Sequence, residues 1–513
     1  MTWPLLDSTA QVTAHPALHN AVIDAKAHFG AIGDGSANDY AAIQAAIDAA
    51  NAAGGGTVYL PRGTYKVNSS LTISSNVTIC GAGMDVTYVK IGVTDLSALV
   101  PAAGSSNVTI RELTAHGNRT AFPTGSGSAI ASLGNVTNLF LFNVKVTNGQ
   151  KFSMFLDTVS GGYNRVRVIG CIFEDSGQSW DTFGGGQLND TTISACVFRN
   201  TTGQGFATTN STGGLMITGC SFQGPMGNGI SLEPAKDATI VGNTFNNLSD
   251  GTVAIWCRPV PTITNDPEAI TIVGNTITNV GTVSGLLTDY GIILRNSSYC
   301  TIVGNTIKRM GRAGIQIDST TVTGSGNASR YNTIHGNIVV DCNQDNAANT
   351  PAILLQFNAG ALNDINIVGN SLIKANADSN QTHGILETGT TSNNVYVANN
   401  IRGNLTAAIG YTATTTDFIG YNSTGDSLSV ASATTTTLPP HSDYFNITGT
   451  TTITSVTASW PGRFVTLKFA GILTFTDGSN LKLVGNFVTA ANSTISLVSD
   501  GTNWYETSRT APG

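Results

Sequence analysis

Charged side chains, aromatic residues and histidine are all scarce in this chain of 513 residues. Asp, Glu, Lys and Arg make up 11% of the sequence, Phe, Trp and Tyr make up 7%, and there are only 7 His. The 31 acidic and 24 basic residues give a net charge of −7, and no basic cluster occurs. Because nucleic-acid binding needs concentrated positive charge, this composition argues against a nucleic-acid partner.

Long apolar runs are also missing. No stretch of 18 apolar residues occurs, so we expect no membrane insertion. Residues 1–20 lack the charged start and apolar stretch of a secretion signal, so we expect no signal peptide. The 7 Cys are odd in number and show no Cys-x-x-Cys or Cys/His spacing. We therefore expect reduced, buried thiols, no bound metal and no cofactor.

What the chain does contain is a repeat. Ten short apolar segments each end on Asn or Cys, at Asn143, Cys171, Cys196, Cys220, Asn243, Asn275, Asn305, Asn337, Asn370 and Asn399. A repeat of this length, built from short strands without helices between them, predicts an all-β solenoid: a parallel β-helix of about twelve coils. Asn side chains at a fixed bend can form a ladder from coil to coil, and Cys at the same place predicts that the bend points inward.

Three further segments differ from the repeats. The apolar spacing of residues 39–53 predicts a helix that caps the open end of the stack, with Asp39 at its start and Gly54 at its end. Residues 426–440 are rich in Ser, Thr and Ala and predict a linker. Residues 441–513 alternate in short strands and predict a small antiparallel β domain.

A family resemblance appears near the N-terminus. The run Phe29-Gly-Ala-Ile-Gly-Asp-Gly35, followed by Gly54-Gly-Gly-Thr-Val-Tyr-Leu-Pro61 and Gly63-Thr-Tyr65, resembles the opening of the pectate-lyase-superfamily right-handed β-helix domain. With the repeats, this resemblance implies a right-handed β-helix over residues 21–425. The superfamily includes polygalacturonases, alginate epimerases and the tailspike depolymerases of bacteriophages, so the resemblance implies the fold firmly and the reaction only loosely.

Both ends of the chain resemble phage tail proteins. Asp500-Gly-Thr-Asn-Trp-Tyr-Glu506 resembles the terminal β domain of phage tail appendages, which implies a homotrimer. Residues 1–20 resemble a short tail-attachment segment. The resemblance thus implies a protein made in a host cytoplasm, carried on a virion tail and active outside the cell.

Two family activities are not supported by their signature residues. The alginate epimerase signature Phe-Asp-Pro-His would fall near Phe152-Ser153-Met154-Phe155, which lacks both the acid and the His. The polygalacturonase set of Asn-x-Asp, Asp-Asp, His-Gly and Arg-x-Lys is absent at matching positions. Neither activity is therefore carried over to this chain.

Outward side chains at one strand position stack from coil to coil, about 4.8 Å apart. Alignment of the repeats predicts one outward column of Asp157, Phe183, Thr209, Glu233, Arg258, Arg295, Asp318 and Gln356. It predicts a neighbouring column of Phe155, Asp181, Ala207, Ser231, Trp256, Ile293, Gln316 and Leu354. Carboxylates, guanidinium groups and aromatic faces in one groove are what cleavage of a glycan requires.

The catalytic candidates are Glu233, Asp181 and Asp157. Two coils separate Glu233 from Asp181, about 10 Å, which side chains can shorten to the spacing of an inverting carboxylate pair. The substrate-binding candidates are Arg258, Trp256, Trp180, Arg295 and Asp318. The alternative interpretation is that these outward charges are solvated surface groups of no catalytic importance.

Three functions remain open. The first is a phage-tail-type depolymerase that hydrolyses a bacterial surface polysaccharide. The second is a polysaccharide lyase, in which Arg258 or Arg295 neutralises a uronate during β-elimination. The third is a tail spike that binds glycan without cleaving it.

Overall fold

The computed structural model describes residues 22–157, 162–177, 181–211, 213–249, 251–261, 265–278, 290–323, 325–377, 379–410, 417–420, 422, 428–439 and 442–511. Trp180 and the expected attachment segment, residues 1–20, lie outside the described residues. Within them the chain forms a parallel β-helix, as the repeat predicted, followed by a smaller β domain. No described helix is long and apolar enough to cross a membrane.

One wall of the β-helix is a sheet of 13 parallel strands, which we call the groove sheet. Its strands are Leu71–Ile73, Leu99–Pro101, Ile130–Ser132, Met154–Leu156, Phe183–Gly185, Phe206–Ser211, Ile230–Ala235, Val253–Cys257, Tyr290–Arg295, Ile315–Ser319, Ile353–Phe357, His383–Thr388 and Ala407–Gly410.

The other two walls form one bent sheet of 28 strands. The strands before the bend are Val22–Asp24, Gly56–Leu60, Val77–Gly81, Tyr163–Asn164, Arg167–Ile169, Leu188–Ser194, Gly213–Thr218, Ala238–Val241, Thr271–Val273, Thr301–Val303, Thr333–His335, Asn366–Val368, Val395–Val397 and Phe418–Gly420. Those after it are Asp34–Asn38, Gly63–Val67, Thr87–Ile91, Ile172–Glu174, Val197–Arg199, Ser221–Gln223, Thr244–Asn246, Thr276–Thr278, Thr306–Lys308, Ile338–Val340, Ser371–Ile373 and Asn400–Arg402. Ser106–His116 and Thr137–Thr147 run through the bend.

The bend carries the predicted ladder. Asn305 is fully buried, and its Nδ2 donates to Oδ1 of Asn337 at 2.9 Å. Its own Oδ1 accepts from Nδ2 of Asn275 at 2.9 Å. Cys220 continues the ladder, because its backbone N–H donates to Oδ1 of Asn243 at 2.8 Å. The inward direction predicted from the cysteines is confirmed, since all 7 Cys are free and buried.

Aromatic rings stack along the interior of the helix. Phe173, Phe198, Phe222 and Phe245 lie on successive coils, with ring centroids 4.7 to 5.1 Å apart. All four are buried, and each buried ring contributes about 1.5–3 kcal/mol to folding. This core fixes the vertical register of the coils, and the register in turn decides which outward side chains become neighbours.

Two helices lie at the start of the stack. The predicted capping helix runs from Tyr40 to Ala52, and its apolar face, including Ile43 and Ile47, is buried. Asp39 occupies the N-cap position, but its carboxylate accepts hydrogen bonds from the N–H groups of Ile32 and Gly33 instead of capping the helix. A short helix, Ala25–Phe29, was not predicted.

The C-terminal domain has its own core and a six-stranded sheet of Leu428–Ala431, Tyr444–Thr448, Phe464–Phe469, Thr494–Ser499, Trp504–Thr510 and Leu481–Lys482. Its small pairs are Thr435–Thr436 with Ser455–Val456, and Thr474–Phe475 with Phe487–Val488. The expected antiparallel pairing holds for three strands, while Tyr444–Thr448 pairs in parallel on both sides. The segment expected to be a linker, residues 426–440, contributes two of these strands.

Candidate functional site

The groove sheet brings most of the predicted site residues together. Ser231 pairs with Trp256, Trp256 with Ile293, and Arg295 with Asp318 on successive parallel strands. The predicted column of Glu233, Arg258, Arg295 and Asp318 is therefore present, with Glu233 opposite Thr209 on the preceding coil. Four charged groups thus line one outward face over four consecutive coils.

Glu233 and Arg258 form an ion pair on adjacent coils. Arg258 donates from Nε to Oε1 of Glu233 at 2.9 Å, and its Nη2 donates to the same oxygen. The hydroxyl of Ser231 also donates to this oxygen at 2.9 Å. The side chain of Glu233 is 17% exposed, so the carboxylate is held in place but still reaches the groove. This geometry fixes the position of a carboxylate oxygen.

The ring of Trp256 packs against the arginine of this ion pair. The Arg258 guanidinium lies 4.1 Å from the Trp256 ring centroid, and the Arg295 guanidinium lies 5.7 Å from it. Cation–π contacts of this kind contribute about 0.5–2 kcal/mol. The predicted stacking of Trp256 on a sugar stays a prediction. In the structure its ring contacts Arg258, the arginine that holds Glu233.

Arg295 and Asp318 form a second, deeper ion pair. Nε and Nη2 of Arg295 donate to the two Asp318 oxygens, each at 2.8 Å, and the Asp318 side chain is fully buried. These hydrogen bonds raise the pKa of Arg295. Gln316 donates to Oδ2 of Asp318 at 2.8 Å. Because Asp318 has no solvent exposure, this is no surface ion pair, and of the two side chains only that of Arg295 is partly exposed.

Asp181 does not occupy the predicted column. Gly184 pairs with both Phe155 and Ala207 and so takes that place, while Asp181 lies three residues earlier, on the turn into the strand. Phe183, predicted to face outward, is fully buried and packs against Phe206. The alignment was wrong here because the run Gly184-Gly-Gly186 offers no side chains that would mark its two faces.

Asp181 is nevertheless electrostatically coupled to Glu233. Burial and, to a smaller extent, the negative charge of Glu233 raise the pKa of the Asp181 carboxyl to about 7. The backbone N–H of Gln204 donates to Oδ1 of Asp181 at 3.0 Å and opposes this shift. A half-buried carboxyl group that stays protonated near neutral pH is suited to donate a proton.

Asp157 has a different environment. It directly follows the strand Met154–Leu156, and its backbone N–H donates to the carbonyl of Ser132 at 3.0 Å. The Asp157 charge adds to the effect of burial in raising the pKa of Tyr163 to about 12. Asp157 lies three coils before Glu233, about 14 Å along the helix, which is too far for a direct pair.

An aromatic platform lies one coil before Asp181. The rings of Phe152 and Phe155 stack with centroids 4.5 Å apart, and Phe155 is partly exposed in the outward column. Gly184 makes room for this platform, because a Cβ there would lie 2.8 Å from the Phe152 ring. Flat apolar faces in a groove suit the apolar face of a sugar ring.

Two long loops meet beside the Arg295 coil. Asp266, from the loop after Arg258, accepts hydrogen bonds from the hydroxyl of Ser325 and, at 2.7 Å, from the N–H of Gly326. Asn296 donates to Ser325 and to the carbonyl of Thr320, both at 2.8 Å. The contact between these two loops was not predictable from the sequence.

Sequence reasoning also missed several groups. Burial raises the pKa of Tyr290, which lies within the electrostatic influence of Arg295 and Arg312. A cleft of about 570 Å³ opens elsewhere on the coils and is lined by Arg119, Thr120, Pro123, Ser176, Asn200, Thr201, Thr202 and Pro225. No repeat or motif marks these residues, because they lie on turns. Among the described residues, no group of three His, Cys, Asp or Glu side chains is arranged to hold a metal ion.

Comparison with known proteins agrees with this fold. Residues 23–97 match the family described as rhamnogalacturonase A/epimerase, pectate lyase-like, and residues 208–401 match the right-handed β-helix region. The chain is therefore a right-handed parallel β-helix protein with a pectate-lyase-like region at its N-terminal end.

Three individual proteins show the range of similarity. Mannuronan C5-epimerase AlgE3 of Azotobacter vinelandii is 50% identical over 104 residues, which are 18% of this chain and 6% of that protein. The pre-neck appendage protein of Bacillus phage B103 is 35% identical over 96 residues, 18% of this chain and 11% of that protein. The Dettilon tailspike protein superposes with a TM-score of 0.56 at 15% identity, covering 96% of this chain and 79% of that one.

The chain spans only a small part of the length of the two relatives by sequence that are named above. At 15% identity, the tailspike likeness concerns the fold alone.

Proposed function

We propose that this protein hydrolyses glycosidic bonds within a bacterial surface polysaccharide, with Asp181 as the general acid and Glu233 as the general base. The observation that carries the proposal is the electrostatic coupling of two carboxyl groups in one groove. The pKa of Asp181 is raised to about 7, and Glu233 contributes to that shift while itself paired with Arg258. Two carboxyl groups held in different environments are the requirement for acid–base cleavage of a glycoside.

The chemical step would use water from the medium. The Asp181 carboxylic acid gives its proton to the glycosidic oxygen as the bond to the anomeric carbon breaks. Glu233 takes a proton from the water that attacks the same carbon. Asp181 and Glu233 lie two coils apart and in different rows of the groove sheet, which leaves room for that water and favours inversion at the anomeric carbon.

The remaining groove residues would bind the substrate and hold Glu233 in position. Arg258 and Trp256 hold Glu233, Arg295 presents a guanidinium edge beside Asp318, and the Phe152–Phe155 platform offers a stacking face. Trp180 keeps its predicted role in substrate binding. Asp157 was a catalytic candidate, but it lies too far from Glu233 to form a direct pair. We therefore assign it only to substrate binding.

Lyase chemistry is the second candidate, and one observation favours it. Tyr290 lies within the electrostatic influence of Arg295 and Arg312, both of which lower its pKa against the effect of burial. A phenol beside guanidinium groups is the kind of base that β-elimination from a uronate needs. Arg295 is paired with Asp318, however, and Arg258 with Glu233, so a uronate would have to compete with existing ion pairs.

The assembly proposed for the chain is a homotrimer on a phage tail, formed in a host cytoplasm. The likeness to the pre-neck appendage protein and to the Dettilon tailspike supports it. Light scattering of the purified protein tests it. We expect a particle of three times the chain mass of 53.0 kDa, and a monomer would contradict the trimer without affecting the chemistry.

A panel of capsules and exopolysaccharides tests the reaction. We expect new reducing ends without ultraviolet absorbance from at least one glycan. Products that absorb in the ultraviolet would establish the lyase, because only elimination creates an unsaturated uronide. Retention of a glycan without cleavage would instead identify a non-catalytic binding spike.

A further inference from the structure

A column of left-handed residues runs along the turn that follows the groove sheet. Asp237, Ala269, Tyr299, Tyr331, Asp364 and Asn393 have φ between 52° and 57°. Parallel bridges between the preceding residues, from Lys236 to Glu268, Ser298 and Arg330, show that the first four members are in register. They are therefore successive rungs about 4.8 Å apart.

Two residues of this column are of a type that rarely adopts the left-handed backbone conformation. Asp and Asn tolerate the left-handed conformation because their short side chains bond locally, whereas a bulky residue there is strained. Tyr299 and Tyr331 occupy adjacent rungs in that conformation, yet they remain 58% and 49% exposed. Their rings stack with centroids 5.1 Å apart and an interplanar angle of 19°. Neither turn chemistry nor core packing accounts for this pair, and such strain is typical of functional positions.

The rung before Tyr299 leaves a gap. Ala269 has only a methyl group, so no side chain of that rung covers the outer face of the Tyr299 ring. One rung further lies Asp237, which is exposed, and no hydrogen bond or ion pair engages its carboxylate within the described residues. Two rungs, about 10 Å, separate Asp237 from Tyr299, which is enough for one sugar ring stacked on Tyr299 with its hydroxyl groups reaching Asp237.

We propose that one neutral pyranose residue of a polysaccharide binds in this gap, stacked on Tyr299 and hydrogen-bonded through its hydroxyl groups to Asp237. The ion pair between Lys236 and Glu268, at 2.6 Å, lies along the same turn and adds further hydroxyl partners. A uronate is disfavoured, because Asp237 places a negative charge beside the site, whereas the charge of Glu268 is offset by Lys236. Tyr331 stacks on the opposite face of the Tyr299 ring and holds that ring in place.

The proposal goes beyond the proposed function and shares none of its residues. It rests on that function only in taking the ligand to be a glycan. A site of this kind would keep the protein on a polysaccharide between cleavage events, since a second attachment point raises the effective concentration of the chain at the groove.

Affinity electrophoresis of the full-length protein tests the proposal, in native gels cast with dextran, pullulan, galactomannan or alginate. We expect retardation by at least one neutral polysaccharide, with an affinity that falls about 3- to 10-fold in Tyr299→Ala and persists in Tyr299→Phe. Ala269→Phe should abolish retardation by filling the gap, at a backbone position that already accepts an aromatic residue on the next rung. Tyr444→Ala, which removes an exposed tyrosine of the C-terminal domain, is the matched control.

Several results would overturn the proposal. They are no retardation in any neutral gel, retardation by alginate alone, or retardation that Ala269→Phe leaves intact. A loss of trimer mass on light scattering of Tyr299→Ala would show that the pair is a contact between copies, which also overturns it. Glu233→Gln separates this site from the catalytic groove, since it should lose cleavage and keep retardation.

Discussion

Arg258 is held against Glu233 on the preceding coil by two hydrogen bonds while its guanidinium stacks on Trp256. The ion pair joins residues 25 positions apart in the chain, so it exists only because the coils are in register. A carboxylate clamped in this way has a fixed orientation.

Arg258→Lys should lower turnover about tenfold while changing KM little. Lysine keeps the charge but loses the second hydrogen bond and the flat face on Trp256, so Glu233 is less well oriented. Steady-state kinetics on the cleaved glycan measures the effect. Arg402→Lys, an exposed arginine on another wall, is the control and should be unchanged. Equal rates for Arg258→Lys and wild type would show that the clamp has no catalytic importance.

Activity should fall as pH rises through about 7. Asp181 must be protonated to act as the acid, and its pKa is raised to about 7 from the ordinary 3.8. A raised pKa also means that the folded state holds a proton which the unfolded state releases, so the Asp181 contribution to stability is lost between about pH 4 and pH 7. Asp181→Asn should remove both effects, which a pH–rate profile and thermal unfolding measure. A profile with no alkaline limb near pH 7 would contradict the role of Asp181.

Glu387 lies inside the last coils, and its mutation should stabilise the protein at high pH. Tyr396 donates its hydroxyl to one Glu387 oxygen, while the other oxygen is buried without a hydrogen-bond partner. Burial raises the pKa of Glu387, so its contribution is present at low pH and is lost as pH rises. Glu387→Gln should therefore raise Tm more at pH 8 than at pH 5. A gain that is equal at both pH values would show that Glu387 does not titrate differently on folding.

Breaking the asparagine ladder should cost far more than a surface change. Asn305→Ala removes four hydrogen bonds at 2.9 Å and leaves the buried N–H of Asn275 without an acceptor, at a cost of about 3 kcal/mol. Asn305→Cys should cost less, because Cys already occupies this position in three coils. Thr276→Ala, an exposed neighbour of the ladder, is the control. Urea unfolding measures the differences, and equal stability of Asn305→Ala and Thr276→Ala would contradict the ladder's importance.

The sequence was informative wherever each coil carries a recognisable side chain at the same position. Asn or Cys at the bend predicted where the coils lie, and the continuous alternation from Ser231 to Gln316 predicted the correct outward columns. It failed at Gly184-Gly-Gly186, where no side chain distinguishes the faces, so Asp181 was placed in the wrong row. It also failed at Asp318, whose burial depends on loops with no pattern of their own. Burial of a side chain by loops that are distant in the sequence is decided by tertiary packing, which sequence periodicity does not encode.

The rate of reducing-end release by wild type, Glu233→Gln and Asp190→Asn tests the central claim most directly. Both variants neutralise a carboxylate that is ion-paired to an arginine, but Asp190 lies on another wall and only Glu233 is coupled to Asp181 in the groove. We predict at least about a hundredfold loss for Glu233→Gln and an unchanged rate for Asp190→Asn. Equal release of reducing ends by all three proteins would contradict the assignment of Glu233 and Asp181 as the catalytic pair.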